Sequence, residues 1–318
     1  MKIVHLDTIT TTMDGLSLDR LESLGEFTAY EDTSYDETVE RAKDADIIIT
    51  NKVVIDKAII DDLPNLKYIC VSATGYNVVD VEHARTKGIA VSNVAGYSTP
   101  GVVQFVFSHM LNVYTSVAYY DNEVELGRWP KEGTFCFYDQ PIQELHGKTM
   151  GIIGLGTIGK QVAAVALAFG MNVIAHSRNP ERDQMNGVEF LSLEDIYKNA
   201  DVISLHCSLN PSTEGMINTS SLTKMKDTAV LINTGRGGLI VEQELADALN
   251  NGDIYYACLD VLSSEPPLSD NPLLKAKHCI ITPHIAWASI ESRIRLIEGI
   301  AQNIEAFIED QPLINVVN

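Results

Sequence analysis

The chain has 318 residues, enough for two domains of ordinary size, and 45% of them are apolar, so packed cores are well supplied. Its formal charge is −20, from 43 acidic against 23 basic residues, a field that repels phosphate-rich polymers and anionic membrane surfaces. Nucleic acid and membrane are therefore not expected partners, and a small anionic substrate would need locally placed arginine or backbone donors.

No stretch approaches the roughly 18 apolar residues of a membrane span, and the start, Lys2 to Asp7, reads as a strand rather than a signal peptide. Cys70, Cys136, Cys207, Cys258 and Cys279 lie far apart, with no C-x-x-C pair and no metal-ligand spacing. That pattern implies reduced, mostly buried thiols in a cytoplasmic protein, and no metal site.

Short β-rich runs alternate with helical patterns from the first residue. Ile3 to Leu6, Ile47 to Ile49, Tyr68 to Val71 and Ile89 to Val91 read as strands; Leu18 to Leu24, Asp36 to Lys43 and Val81 to Lys87 read as helices. Such alternation predicts parallel strands with crossover helices, a doubly wound α/β sheet. Val102 to Val117 reads as a long apolar helix. Asp121 to His146 has weak periodicity, two prolines and several aromatics (Trp129, Phe135, Phe137, Tyr138), and reads as an irregular arm that packs against a second copy of the chain.

From Met150 a second series begins, with strands expected at Met150 to Ile153, Val173 to Ala175, Val202 to His206, Val230 to Asn233, Tyr255 to Leu259 and Cys279 to Thr282. The first of these runs into Gly154-Leu155-Gly156-Thr157-Ile158-Gly159, a G-x-G-x-x-G spacing followed by a helical pattern. An ordinary glycine-rich turn can show the same spacing; the order strand, glycine turn, helix points to dinucleotide binding. Gly154 permits the tight turn, Gly156 leaves room for a pyrophosphate, and Gly159 lets the helix pack on its strand. The free N–H groups opening the helix form an anion site. Ser289 to Ile308 is helical in its spacing and long enough to cross back. The expected division is a substrate domain of residues 1–100 completed by 289–318, and a dinucleotide-binding domain of residues 101–288.

Three strand ends in the second series carry polar groups: Thr234-Gly235-Arg236-Gly237-Gly238, Asp260 with Glu265-Pro266-Pro267, and Pro283-His284. In open α/β sheets ligands collect beyond the carboxyl ends of strands. Taken singly, each has an ordinary reading: a solvated arginine, an exposed acid in a proline turn, a hydrogen-bonded structural histidine. As a trio on adjacent strand ends they point to a site.

With G154-L-G-T-I-G159, I232-N-T-G-R-G237, L259-D-V with Glu265-Pro266-Pro267, and T282-P-H-I-A-W-A-S289 in this order and spacing, the chain resembles the D-isomer-specific 2-hydroxyacid dehydrogenases over essentially its whole length. Ser72 to Asn77, Asn93 to Thr99 and Trp287 look most like the glycerate dehydrogenases (hydroxypyruvate reductases). The resemblance implies two doubly wound parallel-sheet domains, a Rossmann dinucleotide-binding domain and a flavodoxin-like substrate domain, with a cleft between them. It implies reduction of hydroxypyruvate, or glyoxylate, to the D-hydroxy acid, in a homodimer. Arg236 would grip the 2-keto carboxylate. His284 would act as general acid, and Glu265 would orient its imidazole and favour its charged form. The backbone of Ala73, Thr74 and Gly75 would hold the substrate carboxylate. Thr157 and Ile158 share the glycine turn. Thr234, Gly235 and Asp260 would contact the nicotinamide end, and the loop from Cys207 to Thr213 the adenosine.

One departure concerns the cofactor. NAD-preferring sheets carry an acid about 20 residues past the glycines, where this chain has Ser177 followed by Arg178. The cofactor is expected to be NAD or NADP, with NADP favoured. Gln104 stands where many relatives carry glutamate, and nothing in the sequence explains it. Alternatives are a D-lactate or 3-phosphoglycerate dehydrogenase and, in a different class, a cofactor-sensing corepressor-like binding protein. A phosphorylated substrate would need basic residues that Ser72 to Asn77 lack, and the end at Asn318 leaves no appended regulatory domain. The corepressor reading lacks basic patches and disordered tails.

Overall fold

A computed structural model describes residues 1–318. The chain forms two compact units, Met1–Ser98 with Trp287–Asn318, and Thr99–Ala286. The first boundary falls at 98/99 because the apolar helix of the second unit starts at Thr99 and runs to Thr115.

The first unit is a five-stranded parallel sheet, β1 (Lys2–His5), β2 (Glu26–Ala29), β3 (Ile47–Thr50), β4 (Tyr68–Val71) and β5 (Ala90–Asn93), in the order β2-β1-β3-β4-β5. β3 and β4 are buried at every position, which explains their unbroken apolar runs. β2 is not among the expected strands. It lies at the sheet edge with only Phe27 half-buried, so Glu26-Phe27-Thr28-Ala29 shows no apolar run. The β5 edge is closed by the C-terminus, where Val317 N–H donates to Val91 O and the Asn318 amide bonds Val91 N and Ile89 O. The helix Ile290–Ile308 packs Leu296, Ile297, Ile300, Ala301 and Ile304 with Ile47, Ile49 and Tyr68, while Ile290 and Ile294 on the same spacing are exposed.

The strand order of this unit reverses between β1 and β3, the point where such sheets bind ligands. Here that point is occupied by the chain itself. The buried Asp7 carboxylate, just past β1, accepts N–H bonds from Asn51 (2.9 Å), Lys52 (2.5 Å) and Val53 (3.2 Å), just past β3.

The second unit holds seven parallel strands, β6 (Thr149–Ile153), β7 (Asn172–His176), β8 (Val188–Phe190), β9 (Val202–Leu205), β10 (Val230–Asn233), β11 (Tyr256–Leu259) and β12 (Cys279–Ile281), in the order β12-β11-β10-β9-β6-β7-β8. Six were expected. The seventh, β8, is a three-residue edge strand with no fully buried position, too short to register as an apolar run. β10 sends Val230 and Ile232 to one core layer and Leu231 to the other, so the sheet is covered on both faces.

Residues 121–146 depart from the expected irregular arm. Helices Val117–Glu125 and Arg128–Glu132 occupy their first half. Their periodicity is weak because neither helix buries a residue; Arg128 instead ties the segment together through Glu123, Glu132 and Asp139. The thiols are also less uniformly buried than expected, since Cys136 is exposed. No helix is long and apolar enough to cross a membrane.

Two histidines carry a clear pH consequence. His5 ends β1 with neither ring nitrogen hydrogen-bonded, and burial pushes its pKa down to about 3; burial takes His206 down to about 4. Both stay neutral in the folded chain but charge in the unfolded chain below about pH 6.5. The stability they permit is thus present above that value and lost as pH falls toward their folded pKa values. His5→Leu should remove about one proton of this linkage. Its urea-unfolding free energy should fall less steeply between about pH 6 and 4, by about 1.4 kcal/mol per pH unit. An unchanged slope would contradict the assignment.

Candidate active site

The second unit's strand order reverses between β6 and β9, and here the crevice is not filled. β6 ends at Ile153, and Gly154 turns with φ +99°; a Cβ there would lie 2.5–2.7 Å from the His206–Cys207 backbone. Only glycine lets the loops after β6 and β9 touch. A Cβ on Gly159 would sit 2.2 Å from the Gly154 carbonyl oxygen, whereas one on Gly156 meets nothing within 4 Å. The helix Thr157–Ala168 starts beside that open space, and its first internal bond runs from Lys160 N–H to Gly156 O (2.9 Å). Thr157, Ile158 and Gly159 therefore present N–H groups with no intrahelical acceptor, which suits a diphosphate.

Around this turn the other expected contacts differ in what they have left to offer. The Ser177 hydroxyl, past β7, donates to Asp183 Oδ2 (2.5 Å) and accepts from Asn179 N–H (3.1 Å). That bond, with Arg182, holds Asp183 below the usual carboxylate range. Arg178 makes no hydrogen bond or ion pair, and its charge opposes the rise that burial gives the Cys207 thiol. Thr213 is tied within its own loop, to Ser208 O (2.8 Å) and Asn210 N (2.9 Å). Thr234 Oγ1 is buried without a partner. An open glycine cradle, unpaired helix N–H groups, a free guanidinium and an orphaned hydroxyl together fit a dinucleotide.

The trio lies on three neighbouring strands. β10, β11 and β12 pair in parallel, with Asn233 opposite Leu259 and Leu259 opposite Ile281, so Arg236, Asp260 and His284 all follow the carboxyl ends of adjacent strands. The Arg236 turn is locked by Asn233, which is fully buried; its amide donates to Arg236 O (2.8 Å) and accepts from Gly235 N–H (3.0 Å). Gly237 then passes so close to Leu262 that a Cβ would lie 1.9 Å from the Leu262 carbonyl carbon. Leu262 N–H donates to Glu265 Oε1 (3.1 Å), and Glu265 Oε2 meets His284 Nδ1 at 2.6 Å. A continuous path of contacts thus links the arginine turn to the imidazole. Asn233 and Gly237 sit inside the I-N-T-G-R-G motif, yet their roles depend on cross-strand contacts that the motif does not show. Asp260 is 1% exposed, with its carboxylate bonded to Thr282, Ile285 and Ala286.

In the first unit, Ala73, Thr74 and Gly75 follow β4. Ala73 O accepts from Val94 N–H (3.2 Å) and Thr74 O from the Asn93 amide (2.6 Å), while their own N–H groups bond no protein atom. Ser72 Oγ beside them is buried without a partner.

Residues 107–286 match the family described as D-isomer specific 2-hydroxyacid dehydrogenase, NAD binding domain. The chain belongs to this family. It is an oxidoreductase with an NAD(P)-binding domain. Over 323 residues, and 100% of both chains, it is 45% identical to a hydroxypyruvate reductase of Blautia hydrogenotrophica. It is 41% identical over 290 residues, 90% of each chain, to a glycerate dehydrogenase of Methylorubrum extorquens. Among solved structures it is similar to an acyclic imino acid reductase in complex with NADPH and D-Arg, with a TM-score of 0.88 and 31% identity, covering 100% of both chains.

The two glycines of the turn separate a packing role from a ligand role in this dehydrogenase. Gly159→Ala must displace the Gly154 carbonyl and should cost about 1–3 kcal/mol of stability. Gly156→Ala meets no protein atom within 4 Å, so the apo-protein should keep its Tm while affinity for the reduced dinucleotide falls. Thermal unfolding and fluorescence titration check both, and equal loss of stability in the two variants would refute the distinction.

Proposed function

We propose that this dehydrogenase reduces hydroxypyruvate, and glyoxylate as a smaller analogue, to the D-2-hydroxy acid. The observation that carries the reading is the 2.6 Å contact of Glu265 with His284 Nδ1, on the strand ends beside Arg236. When bound, the nicotinamide supplies a hydride. Glu265 accepts the Nδ1 proton of His284, which fixes the ring and leaves Nε2 to carry the proton given to the substrate carbonyl oxygen. Arg236, whose only bond is to Gly235 O (2.8 Å), keeps donors for the carboxylate and carbonyl of a 2-keto acid. The unbonded N–H groups of Ala73, Thr74 and Gly75 would hold the same carboxylate. The names of the two relatives at 45% and 41% identity support this substrate class.

Cofactor choice rests on Arg178. Ser177 is engaged by Asp183, so a 2′-phosphate would be met by the free guanidinium, and NADPH is favoured. A spectrophotometric panel of hydroxypyruvate, glyoxylate, pyruvate and 3-phosphohydroxypyruvate, each with NADH and NADPH, tests substrate and cofactor together. His284→Asn should lower kcat by roughly 10²–10⁴-fold with cofactor affinity retained. Arg236→Ala should act chiefly on the keto acid. Arg178→Ala should weaken NADPH by about tenfold and leave NADH nearly unchanged. Full turnover in His284→Asn would sink the reading.

The segment from Val117 to Ile142 supports a homodimer. It exposes Leu126, Phe135, Tyr138 and Ile142, and a cavity of about 180 Å³ opens among Tyr120, Val124, Trp129, Cys136, Phe137 and Ile142. Exposed apolar surface of this extent marks an association site. Sedimentation should give twice the chain mass of 34.9 kDa, and Leu126→Lys with Phe135→Lys should shift it toward monomer. A wild-type monomer would refute the dimer.

A further inference from the structure

We propose that Asp260 is a positioning residue for His284, holding the turn that carries the imidazole from beneath. The inference rests on His284 acting as the general acid.

His284 has φ +53°, in the left-handed region that a side chain other than glycine's adopts only when its surroundings enforce it. The enforcing contacts converge from Asp260. His284 N–H donates to Asp260 O (2.8 Å) and to Thr282 O (2.9 Å). Asp260 Oδ1 accepts from the Thr282 hydroxyl (2.6 Å) and Ile285 N–H (2.9 Å), and Oδ2 accepts from Ala286 N–H (2.8 Å). One buried residue thus bonds the histidine's own amide and the donors on either side of it.

The chemistry of the donors requires a carboxylate. Three hydrogens converge on two oxygens, and an amide in their place would turn its own NH₂ toward at least one of them. Behind this clamp lies His109, from the helix Thr99–Thr115, whose Nε2 is 3.5 Å from Thr282 Oγ1. The Thr282 proton is directed to Asp260, so its lone pair faces the imidazole, and burial holds His109 in its neutral form. Glu265 and Asp260 therefore divide the work: Glu265, part-exposed, fixes the ring, and Asp260, buried, fixes the backbone. The same burial leaves Asp260 almost no surface to present to a nicotinamide, the contact the sequence resemblance implies for it.

The test compares Asp260→Asn in the wild-type and His284→Asn backgrounds, using the full chain, the most rapidly reduced keto acid and saturating reduced cofactor. Acting through His284, Asp260→Asn should lower kcat by roughly 10²-fold in the wild-type background, with cofactor Kd within about twofold. In the His284→Asn background it should cost nothing further. An equal loss in both backgrounds would make Asp260 a merely structural residue. A rise of about tenfold or more in cofactor Kd, with kcat kept at saturation, would make it a cofactor contact. Either result overturns the proposal. Thr282→Val, which removes one donor at constant shape, repeats the test if Asp260→Asn does not fold, and should lower kcat by roughly three- to tenfold with the same non-additivity. Full activity in His284→Asn alone would refute the general-acid assignment instead.

Discussion

Three adjacent parallel strands, β10, β11 and β12, end in register, and the chemistry of the site follows from that constraint. A parallel sheet delivers every carboxyl end to one edge, so residues 24 and more apart in sequence leave the sheet side by side. Register alone does not make a site, because a loop leaving a strand end has conformational freedom that must be removed. Here it is removed by buried polar groups at the strand ends themselves. Asn233 closes the arginine turn, Asp260 closes the histidine turn, and the Gly237–Leu262 contact presses the arginine turn against the Glu265 segment. Each lock lies below the functional side chain, which leaves that side chain's own polar atoms available.

The two sheets show how one topology is made to bind or not to bind. Both are parallel and doubly wound, and both have a switch point with strand ends diverging around it. In the first unit Asp7 reaches across and bonds three consecutive backbone N–H groups, the donors that could otherwise receive an anion. Burial raises the pKa of that carboxyl, and the backbone bonds oppose the rise. In the second unit no side chain crosses, because the residues at the turn are glycines and the helix N–H groups behind them stay unpaired. The difference is a single side chain at an equivalent place. It assigns the dinucleotide to the second sheet on steric grounds that are independent of motif matching.

Legibility in the sequence followed burial. Strands buried on every side, such as Ile47–Thr50 and Tyr68–Val71, write an apolar run that can be seen without any partner. The edge strands Glu26–Ala29 and Val188–Phe190 are stabilised by a neighbour on one side only and bury too little to leave a pattern. The helices Val117–Glu125 and Arg128–Glu132 bury nothing and are held by Arg128, so they looked irregular. At the site, the residue types of the arginine, the acid and the histidine were visible because their chemistry is rare on strand ends. The supporting roles of Asn233, Gly237 and Asp183 were not, since each depends on which backbone atom lies opposite, and that is a property of the folded pairing.

The charge balance sharpens the assignment of the two free arginines. With 43 acidic residues available, an arginine in this chain readily finds a carboxylate, and six of the nine do: Arg20, Arg41, Arg85, Arg128, Arg182 and Arg293. Arg295 is engaged by Tyr97 O and Ser292 Oγ. Arg178 and Arg236 have no acidic partner, and both leave the carboxyl ends of strands in the dinucleotide-binding sheet, β7 and β10. An acid beside either would offset its charge and compete for its donors, so keeping acids away from these positions preserves local positive charge inside a strongly negative field. Two such positions on one sheet edge suit two anionic groups, a phosphate of the dinucleotide at Arg178 and a substrate carboxylate at Arg236. The same surrounding charge disfavours large polyanions, so a chain of net charge −20 can select small anions through the few places where its own carboxylates are absent.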